Sequence, residues 1–151
     1  MPQPSIVTTT DYHTGGEPFR IVTGGVPPLE GRSILDKRRY AKEHLDDVRK
    51  LLVYEPRGHA DMYGCFVTEP EDADGHLGVV FFHNEGYSTA CGHGTIALVT
   101  WALESGRVPP TSDHVFVDAP SGRLTTVARM DGDRVAAVRF TNVPSFVWDT
   151  G

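Results

Sequence analysis

Helical spacing of apolar positions stands out in one stretch, SILDKRRYAKEHLDDVRKLL, residues 33–52. Ile34, Ala41, Leu45, Val48 and Leu52 fall at the period of one helix face. Ser33 followed by Asp36 makes a capping-box-like start. The spacing predicts one long amphipathic helix. Its other face, carrying Lys37, Arg38, Lys42, Glu43, Asp46, Asp47 and Arg49, is read as solvated. A second run, CGHGTIALVTWALESG, predicts a buried helix, with Gly106 as a left-handed terminator and Pro109 soon after.

The remaining apolar runs are short and rich in β-branched residues, so they predict strands. SIVTTTDYHT is the first, and a Gly-Gly turn leads to FRIVT and another Gly-Gly turn. VPPLEGRS is a Pro/Gly loop, and YEPRGHADMYGCFVTEP is a loop running into a strand. GHLGVVFFH is a strongly buried strand, and NEGYST a turn. The tail predicts strand after strand: HVFVDAP, RLTTVARM, RVAAVRF and a last strand-like run, VPSFVW. Asp131-Gly132 between two such runs is a hairpin turn. The pattern is that of an α+β domain with many antiparallel strands and two helices.

Composition narrows this picture. The 151 residues suffice for one domain with a sizeable core. A hydrophobic share of 39% and a charged share of 23% are those of a soluble globular chain. The formal net charge of −6 excludes the basic stripe of a nucleic-acid surface but leaves room for a locally positive site. Two cysteines, Cys65 and Cys91, are too few for a disulfide framework. The opening residues lack a leader's apolar stretch, and no run approaches the roughly 18 apolar residues of a membrane span. A cytoplasmic protein with both thiols free, no nucleic-acid partner and no membrane is expected.

The chemistry concentrates in YSTACGHGT, residues 87–95. Free cysteine is often a small buried hydrophobe. Cys91, however, stands at the start of a predicted helix, where unpaired N–H groups and the dipole favour a thiolate. The N–H groups of Gly92, His93 and Gly94 are the unpaired donors of the first turn and suit a carboxylate. A base and an anion cradle in one segment fit a substrate whose acidic C–H lies beside its own carboxylate. At two residues' separation on a helix start, the side chains of Cys91 and His93 are expected to diverge. His93 is then either bonded to a neighbouring loop or in contact with substrate.

Asp11, His13, Glu17 and Arg20, and separately Glu55, Arg57, His59 and Asp61, lack metal-site spacing. They read as loop architecture, with Arg57 pairing Glu55. The three lysines, Lys37, Lys42 and Lys50, all lie on the charged helix, which argues against a pyridoxal enzyme. No nucleotide-binding glycine motif is present. Chemistry by Cys91 at a Cα–H would therefore run with no cofactor and no metal.

DYHTGGEP, RRY with HLDDVR, EPRGH with DMYG, HNEGYST with CGHG, and VPSFV occur in that order along nearly the whole chain. Together they resemble the proline racemase family: proline racemases, 4-hydroxyproline 2-epimerases and trans-3-hydroxy-L-proline dehydratases. The resemblance implies a diaminopimelate epimerase-like fold of two pseudo-symmetric lobes, each with strands wrapped round a central helix. It implies a small-molecule proline-type substrate held between the lobes, one catalytic position at the start of each central helix, and no cofactor. Cys91 matches the first position, with Gly92 and His93 as substrate-binding residues. The second position is cysteine in the racemases and epimerases and threonine in the dehydratases. HNEGYST and RRYAKEHLDDVRKLL resemble the dehydratase branch. Family chains are much longer, and no D-R-S-P motif occurs here. Residues 1–151 are thus expected to be an N-terminal lobe without its C-terminal lobe, inactive alone, with an apolar face suited to a homodimer or another partner. Cys65, where the family usually has alanine, is expected to be a packed strand residue.

Overall fold

A computed structural model describes residues 6–110 and 114–151. Seven strands form one sheet: β1 (Thr8–Thr14), β2 (Glu17–Gly24), β3 (Tyr63–Thr68), β4 (Leu77–His83), β5 (Val115–Ala119), β6 (Gly122–Asp131) and β7 (Arg134–Thr141). The helices are α1 (Ile34–His44), α2 (Asp46–Val53) and α3 (Gly92–Glu104). Strand order in the sheet follows chain order. Four neighbouring pairs are antiparallel, but β2–β3 and β4–β5 are parallel. The mixed sheet follows from where the helices fall. A helix between two neighbouring strands brings the chain back to the same sheet end, so α1–α2 and α3 each create a parallel pair.

The sheet curls around α3, which touches β1, β2, β3, β6 and β7. The other face of the sheet carries α1 and α2, packed on β4. The expected strand wrap round a central helix is therefore the observed arrangement. Because β4 is covered on both faces, successive side chains enter different cores. Val79 and Phe81 join Phe19, Ile21, Cys65 and Leu98 under α3. Val80 and Phe82 join Ile34, Ala41, Leu45, Val48 and Leu52. Cys65 is a packed strand residue, fully buried. Glu104, the last residue of α3, fastens both outer strands. It accepts from Tyr12 Oη of β1 at 3.0 Å and from the Val135 N–H of β7 at 3.1 Å.

Three expectations need correction. The predicted single helix is two, broken at Leu45 (φ −124, ψ 12). The apolar stripe runs through the break, so periodicity does not register it; Asp46 and Asp47 in the first turn of α2 mark the new start. The capping box at Ser33 and Asp36 forms as predicted. Second, the charged face is not uniformly solvated. Arg49 is only 4% exposed, bonded to Asp46 and to the carbonyls of His83 and Asn84. Lys37 is 7% exposed, with Nζ on the Glu69 carbonyl at 2.8 Å. Third, VPSFVW forms no strand. Beyond β7 no described strand pairs with it, and Phe146, Val147 and Trp148 stand exposed, Trp148 at 89%. Ser5, which opens the predicted first strand, lies outside the described residues.

Candidate functional site

Cys91 is the N-cap of α3, in extended conformation (φ −156, ψ 110). The buried strand β4 and the turn after it deliver the residue to the concave side of the sheet, where it is 8% exposed. Burial pushes its thiol from an ordinary 9.0 up to about 11, and the Gly94 N–H, donating to the sulfur, acts against that rise. The expected gain from the helix start is thus real but outweighed by desolvation in this chain.

The expected divergence of Cys91 and His93 is overturned. Cys91 Sγ and His93 Nδ1 lie 3.5 Å apart. The divergence argument assumes two helical residues. Cys91 is an extended cap, and its side chain turns back along the first turn to meet His93. The imidazole is held edge-on by Tyr63 and Phe19, with ring centroids 5.0 and 5.9 Å away. Its Nε2 is buried without a partner among the described residues. The His93 carbonyl accepts from Thr14 Oγ1 at 2.9 Å, which ties the β1–β2 hairpin to the start of α3.

The three first-turn N–H groups divide into two roles. Gly94 N–H serves the sulfur. Those of Gly92 and His93 have no partner among the described residues and are available to an anion. The flanking glycines differ as well. A Cβ on Gly94 would stand 2.5 Å from Phe19 Cε2 and 2.9 Å from Cys91 Sγ, so packing requires glycine. Gly92 is exposed, and a Cβ there would meet only Phe140 Cζ at 3.6 Å.

The two polar loops are indeed architecture, but not through the expected pair. No ion pair joins Glu55 to Arg57 among the described residues. Arg20 is the organiser. It pairs with Asp11 through Nε and Nη2, both at 2.9 Å, and donates through Nη1 to the carbonyls of Leu52 and Arg57. Asn84, missed in the sequence, accepts from Met62 N–H and donates to the Val53 and His59 carbonyls. Among the described residues no three His, Cys, Asp or Glu side chains converge to hold a metal. No helix there is long and apolar enough to cross a membrane.

Residues 9–151 match the family model described as Proline racemase. The chain belongs to the proline racemase family. It is 51% identical over 144 residues to a 3-hydroxyproline 2-epimerase of Burkholderia multivorans, covering 94% of this chain and 43% of that protein. It is 48% identical over 145 residues to a trans-3-hydroxy-L-proline dehydratase of Bacillus thuringiensis, covering 95% and 43%. This proline racemase family chain therefore spans less than half the length of these relatives. A hydroxyproline epimerase of Agrobacterium vitis, crystallised with bound trans-4-hydroxy-L-proline, shares its fold at a TM-score of 0.86. That likeness carries 24% identity and covers 95% of this chain and 43% of the other.

Proposed function

We propose that residues 1–151 are the N-terminal lobe of a cofactor-independent trans-3-hydroxy-L-proline dehydratase. Cys91 takes the α-proton, and the Gly92 and His93 N–H groups hold the carboxylate as negative charge builds on it. The Cα electron pair forms the Cα–Cβ double bond as the C3–O bond breaks, and the hydroxyl leaves as water after taking a proton. The resulting enamine tautomerises to pyrroline-2-carboxylate. The observation that carries this reading is a thiol at the start of a helix beside two N–H groups that have no partner among the described residues. It occurs in a chain about half identical to proteins named for that dehydration. The two free thiols fit a reducing, cytoplasmic compartment.

A half-site orients the ring from one side only, so the isolated chain is expected to turn over little or no substrate. The test uses the protein carrying both lobes, incubated with trans-3-hydroxy-L-proline and assayed for the pyrroline product. Full activity after Cys91→Ser would sink the assignment.

A second reading, epimerisation at Cα by two facing thiols, is favoured by the 51% identity to a protein named 3-hydroxyproline 2-epimerase. Inversion in deuterium oxide would return labelled hydroxyproline with its hydroxyl intact, and dehydration would not. Cysteine at the facing position of the second lobe points to inversion, threonine to dehydration.

A further inference from the structure

We infer that a basic cavity on the outer, helix-covered side of the sheet binds a phosphate monoester of a small polar molecule, its phosphate held by Arg38 and Lys42. The cavity lies between α1, the start of α2 and the turn after β4, and it shares no lining residue with the site at Cys91. The RRY and HLDDVR stretches line it, and the cysteine chemistry uses neither. Its volume is about 410 Å³, within the ~300–1,000 Å³ of small-molecule sites.

Which charges are already spent decides the ligand. Asp46 is occupied, accepting from Arg49 Nε at 2.7 Å and pairing with Lys50 Nζ at 3.1 Å. Arg49 also gives Nη1 to the His83 and Asn84 carbonyls. Two cations remain. Arg38, half-buried, donates through Nη2 to the Tyr87 carbonyl. Its Nη1 is not enclosed and has no partner among the described residues. Lys42 lies four residues on, hence on the same face of α1, and is exposed and unpaired among the described residues. Across the cavity, the exposed Glu85 carboxylate is also unpaired among the described residues.

Two neighbouring unspent cations suit a dianion. A guanidinium edge and an ammonium point charge are the groups that hold phosphoryl oxygens. A phosphate monoester carries close to two negative charges at neutral pH. The cavity is more than ten times the ~30 Å³ share of one liquid water, so it has room for the body of the ester beside the phosphate. Glu85 repels the phosphate from its own end and accepts from hydroxyls of that body. On a chain of net charge −6 this attraction is local.

The test is calorimetric titration of the 151-residue chain at low ionic strength with inorganic phosphate and with glycerol 3-phosphate, alongside the NMR shift of the Gly86 N–H in the cavity wall. One molecule should bind per chain, the ester about threefold or more tighter than phosphate, the range of one hydrogen bond. Arg38→Met and Lys42→Met should each weaken both about tenfold or more, the range of a hydrogen bond to a charged group. Lys42→Met covers the case in which losing the Tyr87 bond loosens the fold, since Lys42 holds no partner among the described residues. Glu85→Ala should tighten inorganic phosphate and erase the ester's advantage.

Binding of neither probe, or binding untouched by Lys42→Met, overturns the site. Phosphate that protects Cys91 from iodoacetamide and leaves Gly86 unmoved sits on the Gly92 and His93 N–H groups, which overturns it too. Succinate binding as tightly as glycerol 3-phosphate overturns the assignment to a phosphoryl group. An ester advantage that survives Glu85→Ala overturns the part given to Glu85. None of these readouts depends on turnover, so failure of the two-lobe protein to form pyrroline leaves them standing.

Discussion

Cys91 in the 151-residue chain should react late as pH rises. Burial lifts its thiol from 9.0 to about 11. A two-unit lift leaves about 100-fold less thiolate at neutral pH than an ordinary cysteine carries, equivalent to at most about 2.7 kcal/mol. The assay is the rate of carbamidomethylation of Cys91 between about pH 6.5 and about pH 10.5, followed by peptide mass. Only the thiolate attacks, so the rate should climb about tenfold per pH unit and level off only near 11. Cys65, fully buried and itself pushed well above its ordinary range, should stay unmodified until the chain unfolds, an internal control. A plateau beginning at or below about pH 9 would refute the reasoning, since Gly94 N–H and the helix start would then outweigh burial. The same lift has a stability consequence of fixed sign. The folded state holds the Cys91 proton more tightly than the unfolded chain, so this contribution is fully present below about 9. It is lost as pH rises through about 11. Cys91→Ala should therefore flatten the alkaline fall in stability, measured by urea unfolding at about pH 8 and about pH 10.5; identical slopes would count against it.

Arg49→Met should lower unfolding free energy by about 3–5 kcal/mol in the same assay, because it leaves Asp46 and two carbonyls without their buried donor; a loss below about 1 kcal/mol would show the network to be dispensable. Gly94→Ala should cost about 1–3 kcal/mol and change the Cys91 alkylation rate, because a Cβ there meets both Phe19 and the sulfur; unchanged stability and reactivity would contradict that packing. The exposed Phe146, Val147 and Trp148 should drive self-association, seen as rising light scattering and a blue shift of Trp148 emission with concentration. Serine at all three positions should abolish it, and a clean monomer of the unaltered chain at about 100 µM would argue against it.

The fold of this chain was legible wherever one local signal settles one element. Gly15-Gly16 and Asp131-Gly132 turn where tight hairpins need positive φ. Ser33 and Asp36 cap where predicted, and the apolar run after Cys91 is the central helix. The five ordered motifs carried the family. What escaped were facts about pairs of residues far apart in the chain. Whether β2 and β3 run parallel depends on the route taken between them. The same absence of a described partner strand leaves Phe146 and Trp148 in solvent although their stretch looks strand-like.

Cys91 shows the division most clearly. Its sequence neighbours alone determined the helix start, the two free N–H groups and the glycine beside it. Only the tertiary structure decided how deeply the thiol is buried, hence that desolvation outweighs the helix start. It also decided that an extended cap turns the sulfur onto His93. Periodicity and caps act over a few residues, whereas burial and cross-sheet contact are set by whatever the whole chain packs alongside.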